Sequence, residues 1–141
     1  MADPVRVEVV SPERVLWSGE ATMVVTRTLD GGEVAFQAGH QAFLGVLVEN
    51  HTRVFLTDGT KQDIAIHRGF VEVSGEPTTV SILSDTAELA SDIDVERARQ
   101  ALERHRLVLK QEHDEAELTE ALAGRARAEA RLTTVGVSFT A

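Results

Sequence analysis

Apolar positions in the first part of the chain recur at two-residue steps in short bursts: "VRVEVV", "ATMVVT", "EVAFQ", "RVFLT", "DIAIH", "FVEVS" and "TTVSIL". β-Branched and aromatic residues at alternating positions suit a pleated strand with one face in a core and the other outside it. Turn-forming pairs separate the bursts, namely Asp30-Gly31, Asp58-Gly59 and Ser74-Gly75, with Pro12 and Pro77 close by. Seven or more short strands at this spacing predict an antiparallel β-sandwich, or flattened barrel, over residues 1–84.

Past residue 84 the pattern changes. Ala, Leu, Glu and Arg dominate, no proline follows Pro77, and no aromatic lies between Phe70 and Phe139. That is helix-forming composition. Asp92 or Asp94 can cap a first helix over about 94–110, whose apolar face is Val95, Ala98, Leu102 and Leu109. Asp114 with Glu117 three residues on is a variant of the capping box, and Leu118, Ala121, Leu122, Ala128 and Leu132 give a second helix its stripe. The expected architecture is therefore α+β: the sandwich, a linker at 85–93, an antiparallel two-helix hairpin at 94–135, and a frayed, flexible tail at 136–141. The stripes are mostly alanine, whose burial contributes little at about 25 cal/mol per Å², so the hairpin is expected to dock weakly and to be able to move. Gly124 stands mid-helix at a cost of about 1 kcal/mol relative to alanine.

Composition narrows the chemistry. The chain has 141 residues, 43% of them apolar, which is enough for one domain or one domain with an appendage. A net charge of −9 argues against a general nucleic-acid binder. With no cysteine there is neither a disulfide framework nor a thiolate site. No run approaches the roughly 18 apolar residues of a spanning helix, so a membrane is expected to be reached only through a partner. There is no GxxxxGKS/T or GxGxxG sequence, and "DGGEVAF" reads as a hairpin turn. His40, His51, His67, His105 and His113 lack ligand spacing, and Ser18 and Ser74 lack a nucleophile-elbow context. Asp92 and Asp94 complement a helix dipole without a metal. No residue set supports a catalytic mechanism, a metal site or a required cofactor.

The unusual feature is "DIDVERARQALERHR", residues 92–106, where an acidic chain concentrates four arginines. Arg97 and Arg104, seven apart, share a face of the first helix; Arg127 and Arg131, four apart, share a face of the second. Antiparallel pairing would gather them around one small anion. Like charges four apart repel by a few tenths of a kcal/mol, so Arg127 and Arg131 imply a negative partner. The residues leave open whether that partner is a nucleotide, an acidic protein surface or only solvent.

Four segments carry a family likeness: "VEVVSPERVLWSGEATMVV", "DGGEVAFQAGHQAFLGVL", "IHRGFVEV" and "SDTAELASDIDVERARQAL", in order over nearly all of residues 5–102. In these the chain resembles the epsilon subunit family of F-type ATP synthases. The resemblance implies a non-catalytic central-stalk subunit that couples proton flow to ATP synthesis and inhibits ATP hydrolysis through movement of its helices. It also implies a peripheral place on the cytoplasmic face of the cell membrane, with the gamma subunit, the c-ring and an acidic segment of the catalytic beta subunits as partners. "IDVERA", 93–98, is similar to the family's ATP-binding motif. The implied set is Glu88, Ile93, Asp94, Arg97, Ala98 and Arg104 with Arg127 and Arg131, for ATP as a regulatory ligand.

Gly39, His40, Phe43 and Leu44 match the family's contact with gamma and the c-ring, although the residues themselves place Phe43, Leu44 and Val46 first in the core. Ala38 stands where the family has proline, and Arg68 replaces a common glycine before Gly69-Phe70. Gly19 and Gly39 are expected between strands. The alternative reading is a stand-alone ligand-binding β-sandwich whose hairpin dimerises through Leu102, Leu109, Leu118 and Leu122.

Overall fold

The computed structural model describes residues 3–140. Met1 and Ala2 of the expected sandwich segment and Ala141 of the expected tail lie outside the described residues. The strands are β1 (Val5–Val10), β2 (Val15–Thr28), β3 (Gly32–Phe36), β4 (Phe43–Leu47), β5 (Asn50–Leu56), β6 (Lys61–Ile66), β7 (Gly69–Ser74), β8 (Thr79–Leu83) and the two-residue β9 (Glu88–Leu89). Two helices follow, α1 (Val95–Lys110) and α2 (Glu115–Thr134).

The strands form two layers joined by β2. Its first half pairs with β1, and the order continues through β8 and β7 to β4. Its second half pairs with β3 and β5, followed by β6 and β9. A register shift between Ala21 and Met23 marks the crossing from one layer to the other. All pairings are antiparallel except β1 with β8, which run parallel in the register Val7 to Val80 and Val9 to Ile82. Among the described residues that pair is the one parallel contact in the expected antiparallel sandwich. Parallel neighbours need a long crossover, and the whole of β2–β7 supplies it.

Alternation places Val5, Val7 and Val9 of β1 inward, opposite Val54 of β5 and Ile64 and Ile66 of β6, with Phe36, Leu47, Val71, Val73, Val80 and Ile82 completing one core. Gly19 is not between strands. It lies within β2, where a Cβ would stand 2.9 Å from the Trp17 ring. Arg68 adopts φ 74, the left-handed region that glycine enters without strain.

Asp94 caps α1, its Oδ1 accepting from the Arg97 N–H at 3.1 Å. Asp114 and Glu117 form the reciprocal box at α2: Glu117 N–H donates to Asp114 Oδ1 at 2.8 Å and Asp114 N–H to Glu117 Oε1 at 3.3 Å. α2 ends in a Schellman pair, Val137 N–H to the Leu132 carbonyl and Gly136 N–H to the Thr133 carbonyl, with Gly136 at φ 75. The helices have their own small core of Ala98, Leu102, Ala128 and Leu132, against which Val95, Ala101, Val137 and Phe139 pack.

α2 also lies against β5 and β6. Ala65, between the inward Ile64 and Ile66, points to the outer face and is fully covered. Small residues meet there because α2 touches a helix on one side and a sheet on the other. Its buried line is Ala121, Gly124, Ala128, Ala130, Leu132 and Thr134. Leu122, expected in that stripe, is exposed instead.

Candidate functional site

The linker, the first turns of α1 and the middle of α2 enclose a cavity of about 560 Å³. All eight residues of the sequence-derived anion set line it: Glu88, Ile93, Asp94, Arg97, Ala98, Arg104, Arg127 and Arg131. β9 pins Glu88 to β6 through the pairing of Glu88 with Ala65. A 3-10 turn at Ala90–Asp92 then swings the chain so that Ile93 and the cap Asp94 face the same space. The heptad spacing brings Arg97 and Arg104 to it from α1, and the four-residue spacing brings Arg127 and Arg131 from the antiparallel α2.

Four guanidinium groups thus share one cavity. Among the described residues only Arg131 pairs with a carboxylate there, its Nε donating to Glu88 Oε2 at 2.7 Å. The partner implied by sequence for Arg131 is therefore, in part, within the chain. Arg127 forms no such pair among the described residues, whereas charges on other helix faces do, as in Glu96–Arg99 and Arg125–Glu129. Arg97, Arg104 and Arg127 have no carboxylate partner among the described residues, and forked guanidinium donors suit phosphate oxygens. The acids Asp92 and Asp94 at one rim offer acceptors for amine or hydroxyl groups.

Glu88 is the junction of this site. Its Oε2 also accepts from His67 Nε2 at 3.2 Å, and the His67 side chain is fully buried. Burial alone would raise the Glu88 pKa, but the hydrogen bonds from His67 and Arg131 outweigh it and hold the carboxyl at about 2. Sequence reasoning missed Asp92 as a lining residue, and with it Gln100, Ala101, His105 and Gly124. Gln100, Ala101 and His105 follow Arg97 by three, four and eight positions, and that spacing was the available signal.

The second sequence-derived set divides. Gly39 turns the chain at φ 85 and its N–H donates to Thr78 Oγ1 at 2.8 Å. His40 stands edge-on to Phe36, ring centres 4.9 Å apart, and Phe43 packs against the core while remaining half-buried. Leu44 and Val46 are not core residues: they point outward, Leu44 being 70% exposed. By alternation along β4, Phe43, Gly45 and Leu47 form its inner side and Leu44 and Val46 the other.

Register extends this outer side into a stripe. Val46 pairs with Phe70, Phe70 with Leu83, Leu83 with Val10, and Val10 with Val15. Directly paired residues project to the same side, and Val46, Phe70, Leu83 and Val15 are all exposed. Leu29, also exposed, joins through its N–H to the Val46 carbonyl at 2.8 Å. A continuous apolar row thus crosses five strands of an acidic protein, the kind of exposed patch at which proteins commonly meet partners.

A family profile described as "ATP synthase, Delta/Epsilon chain, beta-sandwich domain" matches residues 4–90. Among curated relatives, the ATP synthase epsilon chain of Streptomyces griseus is 39% identical over 97% of this chain and 99% of its own length. That of Rhodococcus opacus is 42% identical over 86% of this chain and 93% of its own. Among solved structures, a chain of the Euglena gracilis mitochondrial ATP synthase superposes with a TM-score of 0.80 at 24% identity, covering 92% of this chain and 79% of that one. A chain of the Tetrahymena thermophila mitochondrial ATP synthase central stalk and c-ring gives 0.63 at 16% identity, covering 95% and 98%. At those identities the structural likeness concerns the fold.

Proposed function

Since the chain belongs to the delta/epsilon family of ATP synthases, we propose that it is the central-stalk subunit whose sandwich docks on the gamma subunit and the c-ring and whose hairpin is a nucleotide-responsive control on ATP hydrolysis. The observation that carries the control function is the convergence of Arg97, Arg104, Arg127 and Arg131 with Glu88 and Asp94 on one cavity between linker and helices. ATP bound there bridges α1 and α2 and holds the hairpin down. A ligand favours the folded state only through its differential affinity for that state, and the cavity exists only while the helices stay paired. When the hairpin opens, the same arginines are free to meet an acidic segment of a catalytic beta subunit and to block hydrolysis.

The docking function rests on the apolar row from Leu29 and Val46 to Val15 together with the Gly39-His40 end of the sandwich. No helix among the described residues is long and apolar enough to cross a membrane, so membrane association on the cytoplasmic face goes through the complex. The subunit contributes coupling and control, with the chemistry on its partners. The dimerising alternative is disfavoured because Leu102 is consumed within the helical core.

Titration of ATP into the isolated chain tests the clamp. Saturable binding is expected, and its absence at millimolar nucleotide discards the clamp while leaving the stalk role in place. Charge reversal at Arg127 and Arg131 is expected to relieve inhibition of hydrolysis in the assembled enzyme; unchanged hydrolysis removes the beta-subunit contact. Failure to co-purify with gamma removes the docking role.

A further inference from the structure

Of the lining residues outside the expected anion set, His105 is the one imidazole. His105, on α1, lies with its ring over Gly124 of α2, in the space a Cβ at that position would occupy, so a larger residue there requires the ring to move. The imidazole is thus the contact between the helices at this wall, and the glycine, costly in mid-helix, is what admits it. The charges that face it come from both helices: Arg104 from α1, and Arg127 and the carboxylate of Glu120 from α2. Arg97 and Arg131 share the cavity, as do the linker acids Glu88 and Asp92 and the α1 cap Asp94, Glu88 being already committed to Arg131.

We infer that His105 makes anion binding in this cavity proton-linked: the ring takes up a proton when a polyphosphate occupies the cavity, and affinity for that polyphosphate rises as the pH falls. The inference rests on the nucleotide reading of the pocket and adds a regulator to it. In the free pocket, burial first, then Arg104 and Arg127, disfavour the imidazolium, with only Glu120 opposing them. A polyphosphate held by those same arginines reverses the balance, cancelling their charge and adding several negative charges beside the ring. By linkage, the proton and the anion then favour each other equally. One proton per site gives at most about a tenfold gain in affinity for each pH unit between the free and bound pKa values of the ring.

The test is calorimetric titration of ATP, and of inorganic pyrophosphate, into the full chain and into His105→Gln between about pH 6 and about pH 8, in buffers of different ionisation heat. The parent chain is expected to gain severalfold in affinity on acidification and to take up more protons than the variant, whose pH profile is flatter. Protonation of the ligand itself is common to both and drops out of the difference. Equal slopes and equal proton uptake overturn the inference and leave the nucleotide reading standing; no binding by either chain overturns both. Should His105→Gln fail to fold, the His105 ring resonance decides the matter, assigned in the parent chain through its proximity to Gly124. Its titration midpoint is expected to move up on saturation with ATP, and an unmoved midpoint overturns the inference.

Discussion

Arg131 Nε donates to Glu88 Oε2 at 2.7 Å, and through that contact α2 is tied to the short strand at the end of the linker. Glu88→Gln keeps the shape and removes the charge. The hairpin is expected to loosen by about 1–2 kcal/mol, allowing for the partial exposure of the pair. Amide hydrogen exchange measures this: α2 should exchange faster while the β1, β7 and β8 amides hold their rates. Unchanged exchange in α2 removes the pair from the docking of the hairpin.

The same carboxylate sets an acid limit. Its folded-state pKa, about 2, lies below the ordinary value of 4.5. A depressed acid stabilises the folded arrangement above its unfolded pKa and loses that contribution as pH falls through the folded one. Docking of the hairpin is therefore expected to weaken between about pH 4.5 and about pH 2, and Glu88→Gln should lose this dependence. Exchange rates of α2 over that window, compared between parent and variant, decide it.

The apolar row offers a clean separation of stability from binding. Leu44 is 70% and Phe70 53% exposed, so Leu44→Asp and Phe70→Asp should change the stability of the sandwich by about 0.5 kcal/mol or less. If this face receives gamma, each should weaken that complex at least about tenfold, as truncation at an apolar interface centre does. Full affinity in both variants would place the docking face elsewhere.

Gly124 and His105 should be coupled. Gly124→Ala gains helix propensity but drives a methyl into the imidazole, and a net loss of about 1–2 kcal/mol is expected. With His105→Ala already present the obstacle is gone, and adding Gly124→Ala should then stabilise by up to about 1 kcal/mol. Denaturant unfolding of the four chains gives the cycle; additive effects would mean that the ring and the glycine do not compete for space.

Local rules made much of this molecule readable. Alternation found β1, the second half of β2, β3 and β5 to β8, though not β4 or β9, and Asp94, Asp114 and Glu117 stand at the helix starts where side-chain acceptors are required. The pairing of Arg97 with Arg104 and of Arg127 with Arg131 was legible because helical spacing sets it whatever surrounds them, while Glu88, Ile93, Asp94 and Ala98 came only from the family resemblance. What escaped depends on distant pairing. Val46, Phe70, Leu83 and Val15 come from four strands, and only register reveals that they form one row. The parallel pairing of β1 with β8 is non-local in the same way. Gly19 and Gly124 look alike as breaks in a pattern, yet each lies beneath a ring, Trp17 in one case and His105 in the other. Leu122 shows the limit of a helical stripe: a helix squeezed between a neighbour and a sheet buries mostly small side chains with Leu132, and Leu122 turns away.

β2 runs for 14 residues through both layers. A sideways load applied at the apolar row therefore reaches the layer that carries the hairpin along covalent bonds, without crossing a seam that can slip. Shear between the two sheets would require β2 to break its pairing with β1 on one side or with β3 and β5 on the other.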